Sequence, residues 1–437
     1  MRRGGIWALT GKVTFVLATL VWNALITRLL TEPEVGAFYL IFSIVLVGEL
    51  IVLGGMNQAA MRLIAARKAT EDTLAPLIRG SVLLLGSFGL AFGVGYTLWI
   101  GPWLGEQVFH SPLIGELAGL TALWFGLRAV QTFVAFLLRG FHQVGLTAFF
   151  DGATTALLIT LVLLLLYLQS VPVEVREVLL LVSGALVCTI LLSFAILRRQ
   201  GGGTPGTPGV RISEPLRIGL PLAALALTSV GASEAHVWIA GIFVAHADIA
   251  IYGVASRLGK LIQMPQLILA GVIPSSIAEL SALKKKRQIQ EVLQVAATLS
   301  VIPTLIGAIV IGLAARSILG FVFGESYADG WFVLLSLVGG HLFSSAMGFP
   351  GVLLAMTDHQ NLLFKTGVIS SVTGIAVSLA LVQAMGIDGV ALGAAGGRVF
   401  QNVLMWHYCR TRVGIDTRAS IASLRKSVRF LGLRAED

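Results

Sequence analysis

Twelve long apolar stretches dominate this sequence and leave it one environment to fold in. They run Ile6 to Leu30, Gly36 to Ala60, Gly80 to Leu104, Leu117 to Leu138, Val144 to Leu168, Val178 to Leu197, Leu216 to Val244, Ile251 to Ile277, Val292 to Ala314, Trp331 to Ala355, Thr366 to Met385 and Gly389 to His407. A helix of about 20 mainly apolar residues crosses a bilayer. Hydrophobic residues make up 56% of the 437, and charged residues only 12%, which excludes an ordinary water-exposed surface. The expected fold is all-α and polytopic, with about twelve transmembrane helices.

The net charge of +9 could suggest a nucleic-acid partner, but the basic residues sort by topology and form no stripe. With the N-terminus in the cytoplasm, 23 Lys and Arg fall on that side, the run Lys284 to Arg287 among them, against Arg176 and Arg316 outside. This bias follows the positive-inside rule. It predicts a multi-pass protein with both termini in the cytoplasm, expected in the cytoplasmic (inner) membrane, and removes the nucleic-acid reading. Met1-Arg2-Arg3 precedes a run long enough to span, with no small-residue cleavage site, so it reads as the start of a first helix. Cys188 and Cys409 lack metal-ligand spacing and read as packing residues. No metal or other cofactor is expected.

Residues 201–212, rich in Gly, Pro and Thr, form a flexible cytoplasmic linker between two six-helix bundles, 1–200 and 213–411. A displacement of a little over two hundred residues aligns Ala37-Phe38-Tyr39 with Ala250-Ile251-Tyr252, Val108-Phe109 with Val322-Phe323, and His142-Gln143 with His359-Gln360. An even number of helices per half makes these parallel repeats, with a binding site expected near their interface. In the tail, 412–437, Ile421, Leu424, Val428 and Leu431 recur at helical spacing among basic residues, which suits the surface of an anionic leaflet or simply sets topology.

Inside the apolar stretches lie six basic residues, Lys12, Arg28, Arg128, Arg257, Lys260 and Arg398, opposed by Glu49, Asp151 and Glu234. A charge at mid-span costs roughly 2.5 to 3.5 kcal/mol on insertion scales and usually faces protein or water. The cationic excess therefore points to a path for an anion. Lys12, Thr19 and Asn23 share one face of the first span, and Thr121, Trp124, Arg128, Gln131 and Thr132 share a face of the fourth. Arg257 and Lys260 stand one turn apart in the eighth. Their repulsion is relieved either by an anion such as pyrophosphate or by pairing with Glu49 or Glu234. The substrate-binding candidates are Lys12, Asn23, Arg128, Arg257 and Lys260. Glu49 and Glu234 are candidates for ion coupling or gating, with a permanent salt bridge as the plainer reading. Arg28 reads as a snorkelling anchor and Arg398 as structural. Pro221, Pro265, Pro274, Pro303 and Pro350 lie within spans of the second half, which is therefore expected to bend more.

Leu29-Leu30-Thr31-Glu32-Pro33-Glu34-Val35-Gly36-Ala37-Phe38-Tyr39, Gly219-Leu220-Pro221-Leu222, Tyr252-Gly253-Val254-Ala255-Ser256-Arg257-Leu258 leading to Pro274, and Val322-Phe323-Gly324-Glu325-Ser326-Tyr327-Ala328 occur in this order. In these the chain resembles the polysaccharide-transporter branch of the multidrug/oligosaccharidyl-lipid/polysaccharide (MOP) exporter superfamily, which includes the O-antigen flippases of lipopolysaccharide synthesis. The resemblance implies two six-helix bundles in a V, a central cavity lined by the first two helices of each, and alternating access. It implies passage of polyprenyl-pyrophosphate-linked oligosaccharide from the cytoplasmic to the outer leaflet, with membrane lipids and glycan polymerase or ligase machinery as partners. Two rivals stand beside it. A cation-coupled multidrug exporter of the same superfamily would need an acidic cavity. A membrane-embedded glycan polymerase or ligase would need a substantial outer catalytic loop, which this sequence does not contain.

Overall fold

The computed structural model describes residues 2–69, 75–141, 147, 149–200 and 213–420. The linker 201–212, His142-Gln143 and the amphipathic part of the tail lie outside the described residues. The chain divides into two compact units, Met1–Glu234 and Ala235–Asp437. Among the described residues there is no strand, and eleven helical stretches are long and apolar enough to cross a membrane.

In the first unit α1 (Arg2–Leu29) and α2 (Glu32–Leu53) meet at Thr31. The Glu34 carboxylate accepts from the backbone N–H and the hydroxyl of Thr31, at 2.9 and 2.7 Å. That caps α2 and gives the Thr-Glu-Pro-Glu sequence its physical purpose: it satisfies a helix start at a sharp reversal. Gly54 and Gly55, both at positive φ (48° and 73°), end α2 and turn the chain into α3 (Met56–Ala69). α4 (Ala75–Gly95) continues through π-helical turns to Val108. α5 (Ala118–Gly140), α6 (Thr154–Leu168) and α7 (Val175–Gln200) complete the spans expected in the first half.

Aromatic packing holds α1, α2 and α5 together. Phe38 stacks on Trp124 with centroids 5.8 Å apart and meets Trp22 edge-on at 6.0 Å. α8 (Ser213–Phe243) begins in this unit because its Gly219 lies against the Gly54–Gly55 turn. A β-carbon on Gly55 would fall 2.0 Å from the Gly219 carbonyl oxygen, so only glycine permits this approach.

In the second unit the expected eighth span is two helices. α9 (His246–Ile262) stops at Gln263, and α10 (Met264–Ala282) begins there with Pro265 in its first turn. α11 (Lys286–Phe323) is followed by α12 (Trp331–Met347) and the short α13 (Pro350–Met356). α14 (Gln360–Tyr408) is continuous in its hydrogen bonding except at Gly386 (φ 54°, ψ −131°), where it folds back on itself.

The contacts prove the hairpin. A β-carbon on Gly393 would strike Ser378, and Gly374 and Gly397 pack backbone to backbone, so residues on opposite sides of Gly386 pair in antiparallel order. The limbs 360–385 and 387–408 are each long enough to span. Counting them separately gives the eleventh and twelfth spans that the sequence implies.

Of the five prolines expected within second-half spans, Pro265 and Pro350 sit in the first turns of new helices, and Pro221, Pro274 and Pro303 lie inside helices. The non-helical dihedrals inside long helices fall instead at Ala314 and Gly386.

The chain past the last span does not trail away at once. Residues 414–420 lie along the second unit: the Ala419 N–H donates to Ala346 O at 2.9 Å, the Thr417 hydroxyl to Met347 O at 2.8 Å, and Lys286 Nζ to Val413 O at 3.0 Å.

Candidate functional site

Small residues set the register of the charged groups in the first unit. A β-carbon on Gly48 would come within 2.8 Å of Phe125, so α2 and α5 approach closely there. Glu49 follows Gly48, and Arg128 lies one turn beyond Phe125. The two meet: Arg128 Nε donates to Glu49 Oε2 at 3.1 Å, and the Thr132 hydroxyl donates to Glu49 Oε1. The Glu49 side chain is 8% exposed, whereas that of Arg128 keeps 27%.

A second pair, Arg139 with Asp151 at 3.5 Å, lies close by, and the charges of Arg139, Arg128, Glu49 and Lys12 all act on Asp151. Lys12, Arg128 and Arg139 thus share one electrostatic cluster with two carboxylates. Lys12 itself is exposed.

Asn23 does not join this cluster. It is fully buried, donating to Thr19 O at 2.6 Å and accepting from the Tyr39 hydroxyl at 3.1 Å, so its polar groups serve the packing of α1 on α2. The polar stripe of the first helix therefore splits between an exposed lysine and an internal asparagine. Glu49 likewise has its partner within its own unit.

In the second unit Arg257 is partly buried and donates Nη1 to Gly253 O at 3.1 Å, while Lys260, one turn further, is exposed. Both make further interactions, as does the buried Glu234 at the end of the first unit. Behind α9 runs a polar seam that no pattern in the sequence announces. Gln266 donates to Ser344 O at 3.1 Å and Gly348 O at 2.9 Å, and Ser344 bonds Asn402 at 3.4 Å. His236 Nδ1 lies 2.9 Å from Ser378 Oγ, which reaches Val390 O at 3.2 Å. Among the described residues no three His, Cys, Asp or Glu cluster as a metal site would require.

Chemically, the arrangement offers ammonium and guanidinium donors within membrane-spanning helices, one of them held by an internal carboxylate. Such groups bind anions through charge-assisted hydrogen bonds. Nothing in it resembles a nucleophile with its base.

The family described as polysaccharide biosynthesis protein matches residues 1–277. No curated protein matches the sequence. Among solved structures, the chain is similar to an inward-facing multidrug resistance MATE family transporter of the MOP superfamily (TM-score 0.77, 16% identity, covering 94% of this chain and 98% of that one). It is also similar to the lipid II flippase MurJ in an inward closed conformation (TM-score 0.73, 13% identity, 100% and 94% covered). A third is a MOP superfamily transporter from Pyrococcus furiosus, described as having a binding pocket of reversed polarity (TM-score 0.64, 17% identity, 94% and 95% covered). These likenesses establish the fold.

Proposed function

The chain belongs to the polysaccharide biosynthesis protein family, and from that premise we propose that it is a flippase carrying polyprenyl-pyrophosphate-linked oligosaccharide from the cytoplasmic to the outer leaflet of the inner membrane. The observation that supports this reading is the pair Arg257 and Lys260, one turn apart on α9, with Lys260 exposed. An exposed ammonium one turn from a guanidinium is a natural contact for an anion. A pyrophosphate supplies the anion, and the polyprenyl tail remains in lipid. Within the first unit Lys12 and Arg128 are further candidates for contact with an anion, and Glu49 is the internal anion that occupies Arg128 when substrate does not. That a lipid II flippase has this fold supports a lipid-borne substrate.

Outward passage of about two negative charges across 100 mV, interior negative, gains on the order of 4 to 5 kcal/mol, so the reading needs no counter-ion. The rival from the same superfamily, a multidrug exporter of organic cations, is disfavoured by the basic character of these groups. A leaflet-accessibility assay in vesicles loaded with lipid-linked oligosaccharide tests the reading. Arg257→Ala and Lys260→Ala are each expected to slow flipping at least about tenfold, the worth of one charge-assisted contact. Native rates in both variants would sink it.

A further inference from the structure

The polar seam of the second unit holds charge that the transport reading leaves unused. Arg398, on the second limb of α14, makes no side-chain hydrogen bond or ion pair among the described residues; its backbone carbonyl accepts from Asn402 Nδ2 at 2.9 Å, and Tyr252 is the neighbour whose electrostatic interaction favours its charge. His341, on α12, is 4% exposed, and its Nδ1 has no hydrogen-bond partner. The two lie at the same level because α12 and α14 nearly touch one turn away. A β-carbon on Gly340 would sit 3.2 Å from Ala395 Cα. On the other side the imidazole edge, Cδ2 and Nε2, lies 3.7 and 3.9 Å from where a β-carbon of Gly259 would be, which leaves Nδ1 on the edge away from α9.

Every charge acting on the seam's histidines is positive: Arg398 on His236, and Arg398 with Lys260 on His341. Buried Glu234, two residues before His236 on α8, has an interaction of its own, and Asp248, Glu279, Glu291, Glu325, Asp329, Asp358, Asp388 and Asp416 stand at or near helix ends, breaks or connections, with Glu436 and Asp437 beyond the described residues. A guanidinium inside a membrane bundle is expensive without an anion beside it.

We propose that Arg398 and His341 form a binding site for a small monovalent anion of the halide class inside the second unit. With its proton on Nδ1, the His341 imidazole adds one N–H to the Arg398 guanidinium fork at the same level of the seam, a small donor set that suits a single-atom anion. A phosphate dianion would demand more donors than the site offers. The deep burial of His341 likewise separates this site from one that admits a lipid headgroup. The inference does not rest on the identity of the transported substrate.

The test uses the purified full-length protein and chloride as the probe. At constant ionic strength, replacing gluconate by chloride is expected to raise the Tm saturably. Arg398→Gln and His341→Ala are each expected to abolish the rise, and Arg257→Ala to keep it. No chloride-specific rise in the native protein, or a rise that survives Arg398→Gln, overturns the proposal. So does a rise that Arg257→Ala removes, which would place the ion with the transport residues. Should Arg398→Gln fail to fold, Arg398→Lys keeps the charge without the fork, and its chloride affinity is expected to fall at least about tenfold. Unchanged affinity there overturns the proposal. Bromide anomalous density beside Arg398 in native crystals is the positional result expected. Its absence in crystals grown in saturating bromide counts equally against the site.

Discussion

Arg128 and Glu49, 79 residues apart, form an ion pair at 3.1 Å that joins α5 to α2 within the first unit. The Thr132 hydroxyl completes the carboxylate's shell. Breaking such a pair from one side leaves a charge without compensation, whereas removing both partners is nearly neutral. Glu49→Ala is therefore expected to destabilise the protein by about 1 to 3 kcal/mol, moderated by the part-exposed arginine. The double variant with Arg128→Met should recover most of that loss. Detergent-solubilised melting curves read the cycle, and additive single effects would show that the pair carries no coupling.

The approach of Gly55 to Gly219 sets a strict steric limit. Gly55→Ala places a methyl against the Gly219 carbonyl and strains a positive φ, and is expected to cost about 2 to 4 kcal/mol. Gly86, with nothing within 4 Å of its would-be β-carbon, is the control: Gly86→Ala should be neutral or slightly stabilising. Equal Tm changes in the two variants would show that the close approach does not persist in solution.

At Gly386 the backbone takes φ 54° and ψ −131°, a region that side chains avoid. Gly386→Val is expected to cost roughly 1 to 3 kcal/mol. Gly393→Leu should be worse, because it drives a side chain into Ser378, while Gly396→Ala meets open space. A proteolysis series on membranes would read the order, and a Gly396 variant as fragile as Gly393→Leu would contradict the hairpin register.

Acid should open the segment that follows the last span. Burial tends to raise the carboxyl pKa of Asp416, but hydrogen bonds from Arg418 and Trp406, with the Arg418 charge, outweigh it and hold the group below its usual value. A carboxyl with a lowered folded pKa contributes stability above the ordinary carboxylate range and loses it as pH falls through the folded value, so the loss comes below about pH 4. Trp406 reports directly, since its Nε1 donates to Asp416 Oδ1 at 3.0 Å and the Arg418 guanidinium lies 4.6 Å over its ring. Its fluorescence should titrate in the native protein and lose that transition in Asp416→Asn. An identical titration in both would remove Asp416 as the cause.

The spans and their approximate ends were legible because hydropathy is a property of consecutive residues. The capping of α2 was also local, written in Thr31 and Glu34. What the sequence concealed were choices among distant partners. Nothing in the chain says that Glu49 takes Arg128 in preference to Arg257 or Lys260, because the choice follows from Gly48 lying against Phe125. Asn23 shares a helical face with Lys12, yet Tyr39 claims it. The break at Gln263 hides inside a single stretch long enough to span, with Pro265 as its one signal. His341 offers no pattern at all; only the convergence of three helices gives it meaning.

The antiparallel limbs of α14 bear on how this protein is made. Each limb carries polar groups that would meet lipid poorly alone, Ser370 and Ser378 on the first and Arg398 and Asn402 on the second. Their small residues let the limbs zip together around Gly386 before they dock on the helices made ahead of them, which covers Ser378 with Val390 and Gly393. The last two spans can then leave the translocon as one prefolded element, so a truncation within the second limb should strand the first in the membrane as a target for quality-control proteolysis.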